Sequence, residues 1–433
     1  MSVKINISSF LNVRMLCFSF ILGFILAGCG GEGSLCNSFA ALITHSVNFY
    51  DENLDFIEIV QTKAGSINPS DIRNGSWYRA GENLPVINHN LNGDISFYAV
   101  PNVTVVTAQK QLAAINMDNA ALSGKYILMN DVELDENEDG FDANNGWKPI
   151  GNLSAPFSGV FNGNFHKITN LWINGHNHTG FFGFAKNAQI RNIGIETAKG
   201  IKGNFFVGGI VGAAANSTVI NGHVMANISA NMAVGGIAGS IKDSVIANSY
   251  SAGNIKSGSN GVVGGIAGLV NDSSVTNSYS AGNINGSSTN SGGIVGSVYD
   301  AFITENYFVG NIRGSDNVGG IAGCVESYFI SSTIQNNAAV NPSVEGAYGK
   351  NRIIGNISGG AAISNNFALE SMAGNFSSQI PENYGENKTM NELKMKAVYE
   401  TDLGWKFGGD KDNPWKWDAN KNNALPYLYW QKL

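Results

Sequence analysis

From residue 179 onward the chain repeats itself, and the repeat restricts its fold more than any other feature. Gly-Gly-Ile-(Val/Ala)-Gly occurs at 208–212, 235–239, 264–268, 292–296 and 319–323. The last Gly of each unit (Gly212, Gly239, Gly268, Gly296, Gly323) recurs every 27–29 residues. Degenerate units flank the array, Thr-Gly-Phe-Phe-Gly at 179–183 and Asn-Arg-Ile-Ile-Gly at 351–355. A period of this size marks a solenoid. One unit cannot bury its apolar face alone, and stacked neighbours supply the core.

The positions after each last Gly have physical meaning. Seven residues on stand Ile190, Val219, Ile246, Val275, Ile303 and Ile330; sixteen on stand Ile228, Ile255, Ile284 and Ile312. These can stack as columns inside a coil. Nine on stand Asn192, Asn221, Asn248 and Asn277, followed by Glu305 and Ser332. An Asn column predicts an amide ladder, each side chain bridging to the next turn. Eleven on stand His223, Tyr250, Tyr279 and Tyr307. Gly-Asn pairs at 253–254, 282–283 and 310–311 predict turns with positive φ. Apolar runs are short, β-branched or aromatic, and no helical period appears between 140 and 380. The expected fold class is therefore all-β, a parallel β-helix with one period per turn. About ten turns between 104 and 370 would make a rod roughly 45–50 Å long. The alternative, a β-propeller, needs blades of around 40 residues.

Composition fits. Gly supplies 54 of 433 residues, and only 14% are charged. The formal charge of −7 leaves no basic stripe, so nucleic acid is not an expected partner.

The first 28 residues carry Lys4 and Arg14 as their only charges, then an apolar centre at 18–26. That pattern is a secretion signal, too short for an ordinary membrane span. Leu26-Ala27-Gly28-Cys29 resembles the bacterial lipobox, which implies cleavage before Cys29 and lipid attached to it. Gly30 resembles the outer-membrane sorting pattern. The expected partner is thus a membrane reached through a lipid anchor, and the expected location the outer-membrane surface. Cys17 leaves with the signal. Cys36 lies on a tether over 29–44, and Cys324 reads as a buried thiol. A disulfide between those two is the alternative in an oxidising compartment.

The Gly-Gly-Ile-(Val/Ala)-Gly units with their Asn-Ser-Tyr-Ser-Ala-Gly-Asn-Ile tails resemble the GLUG motif of bacterial surface proteins. Trp147-Lys-Pro-Ile-Gly151, Phe161-Asn-Gly163 and Tyr126-Ile-Leu-Met-Asn-Asp131 resemble the opening turns of such proteins. The resemblance covers about 104–433. It implies a right-handed parallel β-helix, a scaffold of adhesins, haemagglutinin-like exoproteins and some surface peptidases. Residues 45–103, with strand-like runs at 47–50, 56–60 and 95–100, resemble the internalin-type B repeat, a small β domain.

The expected organisation is a signal at 1–28, a tether at 29–44 and the small β domain at 45–103. An opening cap with first turns follows at 104–178, the repeats at 179–370 and a C-terminal cap at 371–433. A short helix at 107–117 would cover the open edge of the coil. Thr389-Met-Asn-Glu392 is a capping box opening a helix to about 399. Trp405, Trp415, Trp417 and Trp430 beyond it read as a hydrophobic plug, or alternatively as an aromatic platform for sugar rings.

Catalytic signatures are missing. The sequence holds no His-Glu-x-x-His, no P-loop and no nucleophile elbow in a strand-to-helix setting. His176 and His178 could share a strand face, as weak metal ligands or a solvated loop. Asp135, Asn137 and Asp139 followed by Gly140 match the start of a calcium loop. The twelfth position is Gly146 rather than a bidentate Glu, so a solvated acidic loop stays open beside calcium. Asp418, Asn420 and Asn422 are a fainter echo. Asp243, Asp272 and Asp300 each lie four residues after their glycines and would align along one edge, binding cations or keeping it soluble. Nothing assigns acid and base roles, so no catalytic residue and no enzyme activity is expected. The expected function is a lipid-anchored surface binding protein, an adhesin whose rod meets a host surface, a glycan or other cells. The alternatives are a carbohydrate-active surface enzyme and a structural envelope lipoprotein.

Overall fold

The structure is a computed structural model that describes residues 44–432 apart from 64, 74–75, 87–88, 92, 259–260, 288, 329–330 and 377–384. The signal segment, Cys17, Cys29 and Cys36 lie outside the described residues. The chain divides into two compact units between Val105 and Val106.

In the first unit Thr44–Tyr50 pairs antiparallel with Phe56–Lys63 and parallel with Ile95–Tyr98. Alternation along the first strand turns Val47 and Phe49 to one face, where they pack on Trp77 and Phe97. The Phe49 and Trp77 rings meet edge-on at 4.8 Å.

The second unit is a parallel β-solenoid in which each repeat makes one turn with three faces. After Gly236 the first face is Ala238–Lys242. The second holds Val245–Ala247 and Tyr250–Ala252, and the third Ile255–Ser257 and Val262–Gly264. Each strand pairs in parallel with its equivalent one period on, so Ile246 sits over Val275 and Ile255 over Ile284. The apolar columns are fully interior: Ile246 is 0% and Ile255 1% exposed. Seven strands stack on the first face, from Phe182–Lys186 to Ile354–Ser358. Full turns are therefore about seven, fewer than the ten expected. Residues before Phe182 go instead into an opening cap with helices Gln109–Ala114 and Asn119–Leu122, and into the irregular first pairings. Leu112 and Leu122 join the solenoid core.

One column shifts register. Ile303 pairs with Ile334 and Thr304 with Gln335. The turn between Gly323 and Gly355 is longer, so Ile334 and Asn336 occupy the columns expected of Ile330 and Ser332. Ser332 lies inside, its hydroxyl accepting the Ala301 N–H at 3.2 Å. Ile330 lies outside the described residues.

The recurrent Asn and Asp residues are corners. Asn192, Asn221, Asn248 and Asn277 have φ of 53°, 56°, 51° and 48°, and Asp243, Asp272 and Asp300 have φ of 49°, 47° and 47°. Their short polar side chains tolerate the left-handed region that most residues avoid. Corners break the strand ladder, and buried side chains answer the freed N–H groups. Ser217 Oγ accepts from Ala188 N, Ser244 Oγ from Ser217 N, and Ser273 Oγ from Ser244 N, each at 3.0 Å. A second buried column runs Ser249, Ser278, Asn306, Asn337, Asn366 and does the same.

The glycines of the repeat serve close approach. A Cβ on Gly265 would stand 2.1 Å from the Gly293 carbonyl oxygen of the next turn. Of the three Gly-Asn turns, Gly253 alone has positive φ, 145°. At Gly282 and Gly310 a Cβ would come 1.7 Å and 1.9 Å from the carbonyl oxygen one turn below. Steric room, not φ, selects glycine at those two.

The capping box at Thr389 forms as expected, opening the short helix Met390–Leu393. The tryptophans beyond it do not plug an end. They run back along the second face as a strap. Trp405 Nε1 donates to Asn336 O at 2.8 Å, Trp415 Nε1 to Asn277 Oδ1 at 3.0 Å and Trp430 Nε1 to Asn248 O at 3.1 Å. The ring column under the strap explains its path. His223, Tyr250, Tyr279 and Tyr307 stack at 5.3, 5.1 and 4.6 Å with planes 6–8° apart. A row of flat rings exposes much apolar area, and the strap removes it from water.

Candidate functional site

Where the strap ends, a cleft of about 700 Å³ opens against the first turns of the solenoid. Successive turns each contribute to it. Asn130 and Asp131 precede Val132–Glu133, and Phe165, His166 and Lys167 lie on Val160–Thr169. Glu196 ends Gln189–Glu196, His223 opens His223–Met225, and Tyr250 follows one turn on. Trp430, Gln431 and Lys432 of the strap close the side.

A bulge shapes the rim. Asn162 pairs with Arg191 and His166 with Ile193, so residues 163–165 face a single residue of the neighbouring strand. Asn164 and Phe165 take φ of 50° and 61°. A bulky aromatic in the left-handed region is strained, and bulges of this kind re-aim side chains beside functional sites. Phe165 is 44% exposed, and its ring stands 6.1 Å from that of Trp430.

Below the rings the titratable groups are paired. Lys167 Nζ meets Glu196 Oε2 at 2.6 Å, and His223 Nε2 meets Glu196 Oε1 at 3.2 Å. His166 Nδ1 meets Asp131 Oδ1 at 3.0 Å, and Lys167 N donates to the same oxygen at 3.1 Å. Burial works to raise the Glu196 carboxyl, but the hydrogen bonds from Lys167 and His223 outweigh it and hold it below the ordinary range. Asp131 is likewise lowered, burial being overcome by the Lys167 N–H and by His166. Burial pushes the His223 imidazole down against the pull of Glu196. The Glu196 hydrogen bond raises Lys167.

The amide ladder reaches this cleft and stops. Asn192 Nδ2 donates to Asn162 Oδ1 at 3.1 Å, and Asn221 Nδ2 to Asn192 Oδ1 at 2.7 Å. Asn221 Oδ1 is buried and has no donor, so Asn248 does not continue the ladder. An unmet buried acceptor costs about 1–3 kcal/mol. Asn277 gives its oxygen to Trp415 instead. A longer ladder runs on the neighbouring corner, through Asn227, Asn254, Asn283 and Asn311.

The other expected residues lie away from this cleft. Asp135 Oδ1 accepts from the backbone and side-chain nitrogens of Asn137, while Gln109 Nε2 takes the Asp135 and Asp139 carbonyls. Among the described residues no three His, Cys, Asp or Glu side chains gather as a metal site. The His178 ring packs between Phe184 and Phe206, and burial lowers its pKa. The His176 side chain lies outside the described residues. Cys324 is buried, and burial pushes its thiol up to about 11. Sequence reasoning placed His223 and Tyr250 in one column but missed Phe165, His166, Lys167, Glu196 and Asp131. The available signal was His223, an ionisable ring in a column otherwise Tyr.

No family model matches the chain. Halomucin of Haloquadratum walsbyi is 33% identical over 117 residues, 26% of this chain and 1% of Halomucin. The chain thus spans about a hundredth of that relative's length. A Bacteroides ovatus structure described provisionally as an immunoglobulin A1 protease aligns with a TM-score of 0.46 and 19% identity, over 77% of this chain and 93% of that one. A structure named IgA1 protease aligns with a TM-score of 0.38 and 18% identity, over 79% and 28%.

Proposed function

We propose that this chain is a bacterial surface binding protein, held to the outer membrane by lipid on Cys29, whose solenoid takes a glycan into the cleft beside the strap. One observation carries the reading: the exposed ring of Phe165 and the half-buried ring of Trp430 border a cleft floored by hydrogen-bonding groups fixed in place by their neighbours. Sugars offer apolar C–H faces to rings and hydroxyls to such fixed groups, and pockets of this size suit a few linked units. Extended solenoid surfaces serve binding well. The adhesin role is the use of that cleft at a cell surface.

The test is a glycan array with the full chain, alongside protease shaving of intact producing cells. Binding that Trp430→Ala weakens at least tenfold, together with loss of the solenoid on shaving, is expected. Protection of the chain until the outer membrane is opened would sink the surface role. A second reading, a glycan-cleaving enzyme, is favoured by the Glu196–His223 pair at 3.2 Å. It predicts new reducing ends when a bound glycan is incubated with the protein, and binding without turnover removes it.

A further inference from the structure

We propose that the cleft selects an uncharged, hydroxyl-rich saccharide over polyuronate, sulfated or sialylated chains; this rests on the glycan-binding reading above. Three observations converge.

The first is the charge arrangement. The lining holds two carboxylates, Asp131 and Glu196, and two ammonium groups, Lys167 and Lys432. Lys167 is already tied to Glu196 at 2.6 Å, and Asp131 to His166 at 3.0 Å. An anionic ligand would have to compete for Lys167 beside a carboxylate that repels it. A neutral hydroxyl can bridge such a pair, donating to the carboxylate and accepting from the ammonium, and needs no ion pair broken.

The second is the uncharged polar lining. Asn130, Tyr250 and Gln431 border the cleft as amides and a hydroxyl, groups that both donate and accept and so match ring hydroxyls. A carboxylate or sulfate group brings acceptors only and uses half of what they offer.

The third is shape. The contributing residues climb from Asp131 through Lys167, Glu196 and His223 to Tyr250, one turn at a time. At about 4.8 Å per turn the path is long enough for a short run of linked rings along the coil axis. Phe165 and Trp430 stand at its side for the C–H faces.

The experiment is calorimetric titration of the full chain at low and high sodium chloride. The neutral probes are maltohexaose, cellohexaose, mannohexaose and chitohexaose. The acidic probes are oligogalacturonate, a heparin oligosaccharide and sialyllactose. Expected is binding of at least one neutral probe with an affinity that changes less than twofold between the salts. Phe165→Ser should weaken it several-fold, whereas Phe302→Ser, an exposed ring on another turn, should not. Phe165 is exposed, so its variant leaves the core packing of the solenoid intact. Tighter binding of an acidic probe, falling steeply with salt, overturns the inference while leaving the glycan-binding reading intact. Binding of no probe of either kind overturns both.

Discussion

Glu305 stands where other turns place Asn, and the substitution has a cost. Its φ is 60°, and burial raises its carboxyl pKa, with Lys406 pulling the other way. A raised carboxyl contributes stability below its ordinary pKa and loses it as pH rises through the folded value. Glu305→Asn should therefore stabilise the protein at neutral pH by about 1 kcal/mol. Thermal denaturation should show a gain that shrinks toward pH 4. Glu196, Asp131 and His223 carry the opposite sign. All three are lowered, so the unfolded chain binds their protons more readily. Stability should fall as pH drops below about 6.5, first through His223 and then through the two carboxylates. His223→Gln should flatten the upper part of the melting temperature's pH dependence; an unchanged slope would refute that assignment. Gly265→Ala should cost about 1–3 kcal/mol because its Cβ meets the next turn. Gly360→Ala, with open space around it, should be near neutral in the same melt.

The strap is the element on which the site depends. Its anchors are buried rings with satisfied N–H groups: Trp405 and Trp415 stack at 4.6 Å, and Trp415 is 0% exposed. Gln431 donates to Tyr279 OH at 2.6 Å, and Tyr307 OH to Pro426 O at 2.8 Å. Truncating a buried Trp costs about 3–5 kcal/mol. Trp415→Ala should therefore release the strap before the coil unfolds. Limited proteolysis should cut between 405 and 432 several times faster than in the parent, while the far-ultraviolet β signal persists. Equal loss of both would show strap and coil to be one cooperative element.

At the scale of the molecule, each turn contacts chiefly its neighbours, so the coil tolerates loss of a whole period better than loss of part of one. Deleting 240–268 joins equivalent glycines and should leave a folded solenoid one turn shorter. The strap cannot follow. Its indoles bond to Asn248 and Asn277 on adjacent turns, and the deletion removes the first and shifts the second by about 4.8 Å. The shortened protein should keep its circular dichroism spectrum and lose both strap protection and cleft binding.

The period of the glycines, the apolar columns at seven and sixteen residues and the ring column at eleven were legible in the chain, because every turn restates them. Local stereochemistry was half legible. Asn and Asp announced corners, yet the left-handed φ that selects them, and the interior Ser and Asn side chains that answer the freed N–H groups, follow from how turns stack. Tertiary structure alone decided the path of the strap and the cleft. Phe165, Lys167, Glu196, His223 and Trp430 are scattered over more than 260 residues of sequence, so no spacing motif unites them. They meet because parallel stacking brings residues one period apart to about 4.8 Å, and because burying a row of rings pulls the C-terminus back along the coil.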